Sequence, residues 1–512
     1  MNKLVKATTI LFLITILSKF FGFFRETILV SIYGASMISD AYITSMKIPS
    51  TLFAIIASAL STTFIPIFCD IDKNEGKEKS LKFANNVFNI VILLSLFLAI
   101  IGFIFAEPLV KVFAIDFDGE KLKLTVQFTK IMVFSMIFIG LNSMMTCWLQ
   151  IKEKYHIPGL MGFPYNIIII ASILISVKVD IEILAIGTLL AIISQFLFQL
   201  PYASKCGYKY ELYVNFKDEN IKKIIYLLLP VIIGVGVGEI NGIIDGTLAS
   251  TLGDGIITVL NSANKLNDFV TGLFIATIIS VIYPILSKLS QSNEKEFKKI
   301  IIQSINILLL LLIPISIGAI VLSVPVVRVV FERGKFDYNS TILTAQALKY
   351  YAIGITAGGI TTVLNRVFYS MQDTKTPMIN SVISIIINIV LNLILINYMG
   401  HRGLALATSI SAIIRVILLF RKLKLRIVDF NQNLIIKTMT KSLIASIIMG
   451  GITYISYIIL KASIGISFIG ELIILFIPIL IGAIIYSIII TNMKIDEVNI
   501  ILDIIKLKLK IR

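Results

Sequence analysis

Cysteine and histidine are almost absent from this 512-residue sequence, with only Cys69, Cys147 and Cys206 of the one and His156 and His401 of the other. No C-x-x-C or H-E-x-x-H pattern joins them, so neither a disulfide framework nor a zinc site is expected. A G-x-x-x-x-G-K-[ST] phosphate cradle is missing too. Nothing here should hydrolyse a nucleotide, and uphill work must draw on an ion gradient or the membrane potential. Charge is also scarce, at 15 % of residues against 57 % hydrophobic. The mean hydropathy of +0.94 lies outside the range of soluble globular domains. Lipid is the expected solvent.

The apolar residues run in stretches of roughly 18 or more, long enough to cross a hydrocarbon core as helices rather than as barrel strands. The expected fold class is therefore an all-α polytopic membrane protein of about fourteen transmembrane helices. The spans read at roughly 7–33, 40–68, 85–107, 125–151, 159–176, 182–204, 224–251, 256–287, 300–326, 343–371, 376–398, 402–421, 435–461 and 467–491. The first run continues past Lys19 and Arg25 with no small-residue cleavage site, so it reads as a retained helix. The net charge of +16 is a topology signal. With the N-terminus inside, cytoplasmic segments carry about 29 Lys/Arg and outer loops about 9, the positive-inside bias. Both termini are then cytoplasmic, the tail Lys506, Lys508, Lys510 and Arg512 faces anionic lipid, and no nucleic-acid partner is needed.

The chain repeats itself. Lys47 and Pro66 share their spacing with Lys265 and Pro284, and Gly140 and Pro158 share theirs with Gly359 and Pro377. Such a constant offset marks a transporter built from parallel structural repeats. The expected organisation is an N-terminal six-helix lobe (1–210), a pseudo-symmetric second lobe (211–425), and two added helices with a basic tail (426–512).

Ionisable residues inside spans each cost about 2.5–3.5 kcal/mol at a helix centre, so they mark function. The first span carries Lys19, Arg25 and Glu26. Ser18, Gly22 and Arg25 form one stripe, where Gly22 lets a ligand or another helix approach the backbone. The bland alternative is that Lys19 and Arg25 only neutralise Glu26 and nearby carboxylates. In the second span Asp40 and Lys47 share a face, and Pro49 should bend the helix beyond them. Ser39 and Asp40 could equally cap that helix. Lys47 is different, because it recurs as Lys265. Symmetry-related lysines beside the first-span cations suit a pyrophosphate, whose desolvation several convergent donors can offset. A second set comprises Glu239 and Asp245 in the glycine-rich IIGVGVGEINGIID, with Asn388, Asn392 and Thr408. One carboxylate and neutral oxygens suit a hard monovalent cation, although interhelical hydrogen bonding by Asn explains them as well.

Several segments carry a family resemblance: SKFFGFFRETILVSIYGAS, SDAYITSMKIPS, FIPIF, FERGKFD, RVFYSMQDTKTP and GHRGLALATS. These resemble the signature segments of the MurJ/MviN family of lipid II flippases, within the multidrug/oligosaccharidyl-lipid/polysaccharide exporter superfamily, over nearly the whole chain. The resemblance implies a V-shaped pair of six-helix lobes that alternate access and carry undecaprenyl-pyrophosphate-linked peptidoglycan precursor from the inner to the outer leaflet of the bacterial plasma membrane for cell wall synthesis. It implies substrate contacts at Lys19, Arg25 and Lys265, with Asp40 and Lys47 adjoining, and a lipid-tail groove by the last two helices. It further implies sodium as coupling ion at Asp245, Asn388, Asn392 and Thr408 with a carbonyl near Leu404, no enzyme activity, and membrane lipids and other cell-wall synthesis proteins as partners.

The sequence departs from the pattern at several positions. Lys19 and Lys265 stand where arginine is usual, losing its planar fork. Phe53, Ala54 and Ala57-Ser58-Ala59 replace paired arginines and an Ala-Glu-Gly segment, and Asn392 replaces a carboxylate. A flippase for another polyprenyl-linked glycan, a capsule or teichoic-type precursor, is the alternative. A polyprenyl-phosphate glycosyltransferase lacks its clustered carboxylates, and a cation exporter would repel its cargo from these cations.

Overall fold

The structure, a computed structural model, describes residues 2–290, 292–427, 430–465 and 467–499. The basic tail from Lys506 to Arg512 lies outside the described residues, as do the side chains of Ala54, Ser58 and Ala59. Among the described residues the regular structure is entirely helical.

Two compact units divide the chain: residues 1–258 with 334–336, and residues 259–333 with 337–512. The first holds α1 (Asn2–Tyr33), α2 (Met37–Asn74), α3 (Lys77–Ile104), α4 (Ala106–Phe113), α5 (Gly119–Met132), α6 (Ser135–Ile151), α7 (His156–Leu160), α8 (Gly162–Ser176), α9 (Ile183–Lys205) and α10 (Glu219–Ser250). Next comes α11 (Ile256–Leu289), whose opening residues still belong to the first unit. The second unit continues with α12 (Glu294–Val321), α13 (Ser323–Phe331), α14 (Tyr338–Ser370), α15 (Lys375–Met399), α16 (His401–Arg426), α17 (Gln432–Ser463) and α18 (Phe468–Asn492).

Among the described residues, 8 helices are long and apolar enough to cross a membrane, or up to 9 if α5 and α6, bent by 41°, count as one broken span. The apolar pattern runs through that break at Val133–Phe134 without marking it. Conversely, α2 runs unbroken through Pro49 and Pro66. Helices in lipid gain little from hydrophobic burial against one another, so close packing and hydrogen bonds must hold them. The paired glycines of the repeat show how. A Cβ on Gly140 of α6 would sit 2.8 Å from Val91 of α3 and 2.9 Å from Phe53 of α2. A Cβ on Gly359 of α14 would collide with Leu312 of α12 and come within 3.3 Å of Ile275 of α11. Each glycine thus does the same work in its own unit: it lets one helix seat against two others.

The first unit's core gathers Phe64, Phe68, Phe83, Phe88, Trp148 and Tyr208. Phe64 stacks on Phe83 at 5.8 Å, and Phe68 meets Trp148 edge-on at 5.4 Å, geometries aromatic quadrupoles favour. In the second unit α17 packs on α12, and Tyr486 of α18 donates to Leu310 O of α12 at 2.8 Å and hydrogen-bonds Ser442 of α17 at 2.8 Å. Ile455, Ile458 and Ile459 of α17 and Leu480, Ile484 and Ile488 of α18 are exposed, as lipid-facing surfaces should be.

Candidate functional site

Three charged centres lie in the first unit, and they differ in how well the protein satisfies them. The first is built where α1 meets α7 and α8. The predicted stripe Ser18, Gly22, Arg25 faces another helix: a Cβ on Gly162 would collide with the Ser18 hydroxyl, and one on Gly22 would lie 3.8 Å from Asn166 Oδ1. Phe21 packs edge-on to Phe163 at 5.3 Å. This close approach brings Arg25 Nη1 to donate to Asn166 Oδ1 at 3.3 Å, while the guanidinium lies 5.4 Å from the Tyr165 ring centroid. Asn166 is itself fixed, donating to Gly162 O at 2.7 Å. Glu26 lies at 4.0 Å, beyond hydrogen-bonding distance, so the ion pair is loose. Lys19 is exposed and makes no ion pair among the described residues. Asn166 and Tyr165 together take fewer than Arg25's five donors.

The second centre is Asp40, which the sequence offered either as a substrate contact or as a cap of its own helix. The structure caps α2 with Ser36 and Ser39 in a capping box. Asp40, fully buried, reaches instead to the start of α11: Oδ1 accepts from Thr258 N at 2.9 Å and Thr258 Oγ1 at 2.7 Å, and Oδ2 accepts from Gly255 N at 2.7 Å and Lys121 Nζ at 3.0 Å. Lys121 also donates to Asp254 Oδ1 at 2.8 Å. A carboxylate on a helix N-terminus is favoured by the unpaired N–H groups and the dipole. Here α2 supplies the cap for α11. Four donors fill Asp40's acceptor sites, so this geometry leaves it a structural clamp. The clamp is tight because Gly255, at φ +82°, has no Cβ to strike Ala35 O, and Gly34, at φ +70°, makes similar room for Lys335 O. The FERGKFD segment enters the same turn, with Lys335 N donating to Ser31 O at 2.8 Å.

Lys47 forms the third centre. Its ammonium lies on the glycine-rich face of α10 and donates to Gly242 O at 2.5 Å, with Asp245 and Glu239 acting on it electrostatically. A lone amine within a span needs such an acceptor. Its repeat partner Lys265 is half-buried on α11 in the second unit.

The candidate cation ligands fall in both units. Asp245, on α10, accepts from Asn241 Nδ2 at 3.3 Å. In the second unit, buried Asn392 donates to buried Asn388 Oδ1 at 2.9 Å, and Thr408 Oγ1 donates to Leu404 O at 3.0 Å. Helices α15 and α16 are tied beside them by Ser384 donating to Ser411 O at 3.0 Å.

Sequence reasoning passed over Lys121, Asp254 and Asn166. The only local signal was the G-D-G at 253–255, whose glycines both take positive φ. It also passed over Arg366, 5.3 Å from the Tyr283 ring centroid, and Arg415, which donates to Ser381 Oγ. Arg366 opens the RVFYSMQDTKTP segment, but nothing near either arginine in the sequence points to its partner.

The chain matches the family model described as lipid II flippase MurJ over residues 29–492. It belongs to the MurJ family. A probable lipid II flippase MurJ from Buchnera aphidicola subsp. Schizaphis graminum is 30 % identical over 485 residues, covering 93 % of this chain and 94 % of that protein. The lipid II flippase MurJ of Burkholderia cenocepacia is 26 % identical over 423 residues, covering 80 % and 82 %. A solved lipid II flippase MurJ in an inward closed conformation superposes with a TM-score of 0.82 at 28 % identity, covering 94 % of this chain and 97 % of that one. An inward-facing MATE family multidrug resistance transporter matches at 0.67 with 16 % identity over 81 % and 96 %, which shows a shared fold. The MurJ family is one of multi-pass membrane transporters, and this chain has their helical architecture.

Proposed function

We propose that this chain carries lipid II, the undecaprenyl-pyrophosphate-linked peptidoglycan precursor, from the inner to the outer leaflet of the bacterial plasma membrane. The family match over residues 29–492 carries this reading. Arg25, with donors to spare in an apolar span, is the first pyrophosphate ligand, joined by Lys19, Lys47 and Lys265. A guanidinium desolvated by lipid-span surroundings gains more from a phosphate than one in water, because the local dielectric is low. Asp40 acts from outside the binding set, as the clamp that fixes α2 and thereby Lys47. The chain forms about fourteen spans in two six-helix lobes plus α17 and α18, with both termini cytoplasmic. It works by alternating access and catalyses no covalent step. Sodium, held by Asp245, Asn388, Asn392 and Thr408, or the membrane potential supplies the driving force, and other cell-wall synthesis proteins deliver and consume the cargo.

One observation favours a second reading, a flippase for a capsule or teichoic-type lipid-linked glycan. Phe53, at a position where the family pattern expects a cation nearby, is fully buried against Gly140 in the apolar core. A headgroup site with one cation fewer suits a cargo of different charge.

Complementation of a strain depleted of its own lipid II flippase separates the two. Growth with normal cell shape supports lipid II as cargo. Lysis despite membrane insertion of the chain supports the second reading.

A further inference from the structure

The connector between α9 and α10, Cys206–Asp218, has no regular secondary structure, yet seven side-chain hydrogen bonds fasten it to α3. Three buried asparagines within two turns of α3 do the fastening. Asn85 donates to Lys209 O at 2.9 Å and accepts from Tyr208 OH at 3.1 Å. Asn86 donates to Asn215 O at 3.0 Å and accepts from Asn215 N at 2.8 Å. Asn89 donates to Glu211 O at 3.0 Å and Tyr213 O at 3.1 Å, and accepts from Tyr210 OH at 2.8 Å. Alternate carbonyls of the connector, from residues 209, 211, 213 and 215, thus point at α3. Phe88 adds ring contacts of 5.8 Å to both Tyr208 and Tyr210.

The side chains turned away form the opposite pattern. Leu212 is 83 % exposed, Phe216 59 % and Val214 39 %, a row of apolar residues at every second position, and Tyr210 is 54 % exposed although its hydroxyl reaches α3. Exposed Lys205, Lys209 and Lys217 flank them, and Lys82 sits 4.6 Å from the Tyr213 ring centroid. The depth of this row along α3 identifies what covers it. α3 is a candidate membrane span from Lys77 to Ile104. Under the connector, residues 83–89 are all buried, and one turn further on the exposed apolar surface begins at Leu93, Leu94, Leu96 and Phe97. The connector therefore borders the lipid-facing belt. Apolar and aromatic side chains flanked by lysines, with Glu211 the one acidic residue between them, match the composition of the boundary between headgroups and acyl chains.

We propose that Cys206–Asp218 is an interfacial strap, laid into the headgroup boundary of the leaflet where α3 begins, with the asparagine ladder setting its depth and the lysines holding anionic lipid phosphates. The occupant of the exposed row is the bilayer itself. The ladder satisfies the strap's inward carbonyls, which lets a non-helical segment sit at that depth.

The test places a single environment-sensitive fluorophore on the full chain. In a background carrying Cys69→Ser, Cys147→Ala and Cys206→Ser, cysteine is introduced as Leu212→Cys, Phe216→Cys or, for comparison, Glu211→Cys. The labelled proteins are reconstituted into vesicles of phosphatidylethanolamine and phosphatidylglycerol, some carrying nitroxide high or low on the acyl chain. The expected result is blue-shifted emission at positions 212 and 216, quenched more by the shallow nitroxide than by the deep one, with water-like emission at position 211. Water-like, unquenched emission at 212 and 216 overturns the proposal. So does a dry but unquenched label, which would mean a second copy of the chain covers the row.

A second variant, Asn89→Leu, is read by the protein's only tryptophan. Trp148 lies 5.2 Å from the Tyr208 ring, so release of the strap shifts its emission while quenching at position 212 loses its depth preference. Unchanged tryptophan emission and depth preference would show that the ladder does not hold the strap.

Discussion

Arg25 and Asp40 are both charged groups in the first unit, and their surroundings could hardly differ more. Asp40 receives four donors within 3.0 Å and is fully buried. Arg25 donates to Asn166 at 3.3 Å, is hydrogen-bonded to Tyr165 and lies near its ring, and has a carboxylate 4.0 Å away. A saturated charge has spent its interaction energy on the fold. An under-satisfied one keeps it for a ligand, at a standing cost to stability. Proximity to a signature motif does not separate these two cases; counting partners does.

Removing the saturated charge should hurt stability most. Asp40→Ala strands Lys121 and unpairs the start of α11, so a loss of about 3–5 kcal/mol is expected, read as a fall in Tm of the detergent-purified protein. Adding Lys121→Met to that variant should recover part of the loss, because no unpaired charge then remains. If Asp40→Ala were as stable as the parent and only transport suffered, the clamp assignment would fail. Arg25→Ala should behave oppositely, with stability changed by about 1 kcal/mol or less and translocation abolished. A smaller effect belongs to the turn beneath the clamp: Gly255→Ala, at positive φ and against Ala35 O, should cost about 1–3 kcal/mol by the same Tm measurement.

The smallest effect tests a counterpart of the clamp in the second unit, buried Asp373, whose partner Arg426 is exposed. Asp373 accepts from Thr376 N at 2.9 Å and Thr376 Oγ1 at 2.7 Å, and pairs with Arg426 at 2.7 Å. Partial burial pushes its carboxyl up, but these donors and the guanidinium outweigh burial and hold it below the usual carboxylate range. A depressed folded pKa gives stability that is fully present above the unfolded value of about 3.9 and is lost as pH falls through the folded value. Asp373→Asn should therefore lower Tm at neutral pH by an amount equivalent to about 1 kcal/mol or less, and the gap to the parent should close in strong acid.

How far the sequence could be read follows from the range of each interaction. Apolar run length is a local property, and each of the fourteen segments read from it overlaps a helix, although 85–107, 125–151, 159–176 and 300–326 run across helix breaks. Each unit's glycine packing, at Gly140 and Gly359, was visible only as a spacing match. The break between α5 and α6 left no local trace, since both sides of it are apolar. Asp40 could not be interpreted because its partners, Gly255 and Thr258, lie more than two hundred residues along the chain. The asparagine ladder was missed for the same reason: Asn85, Asn86 and Asn89 read as polar residues at a span's edge until Tyr208–Asn215 is laid against them. Arg25 was legible because a guanidinium in an apolar run is costly wherever its partners come from.

The central claim, that under-satisfied cations in a MurJ-family fold hold a lipid-linked pyrophosphate during transport, is tested most directly by lipid II translocation in vesicles containing the purified full chain. The account predicts transfer between leaflets by the parent and none by Arg25→Ala or Lys265→Ala at matched Tm and matched incorporation. Equal transfer by the parent and both variants would contradict it.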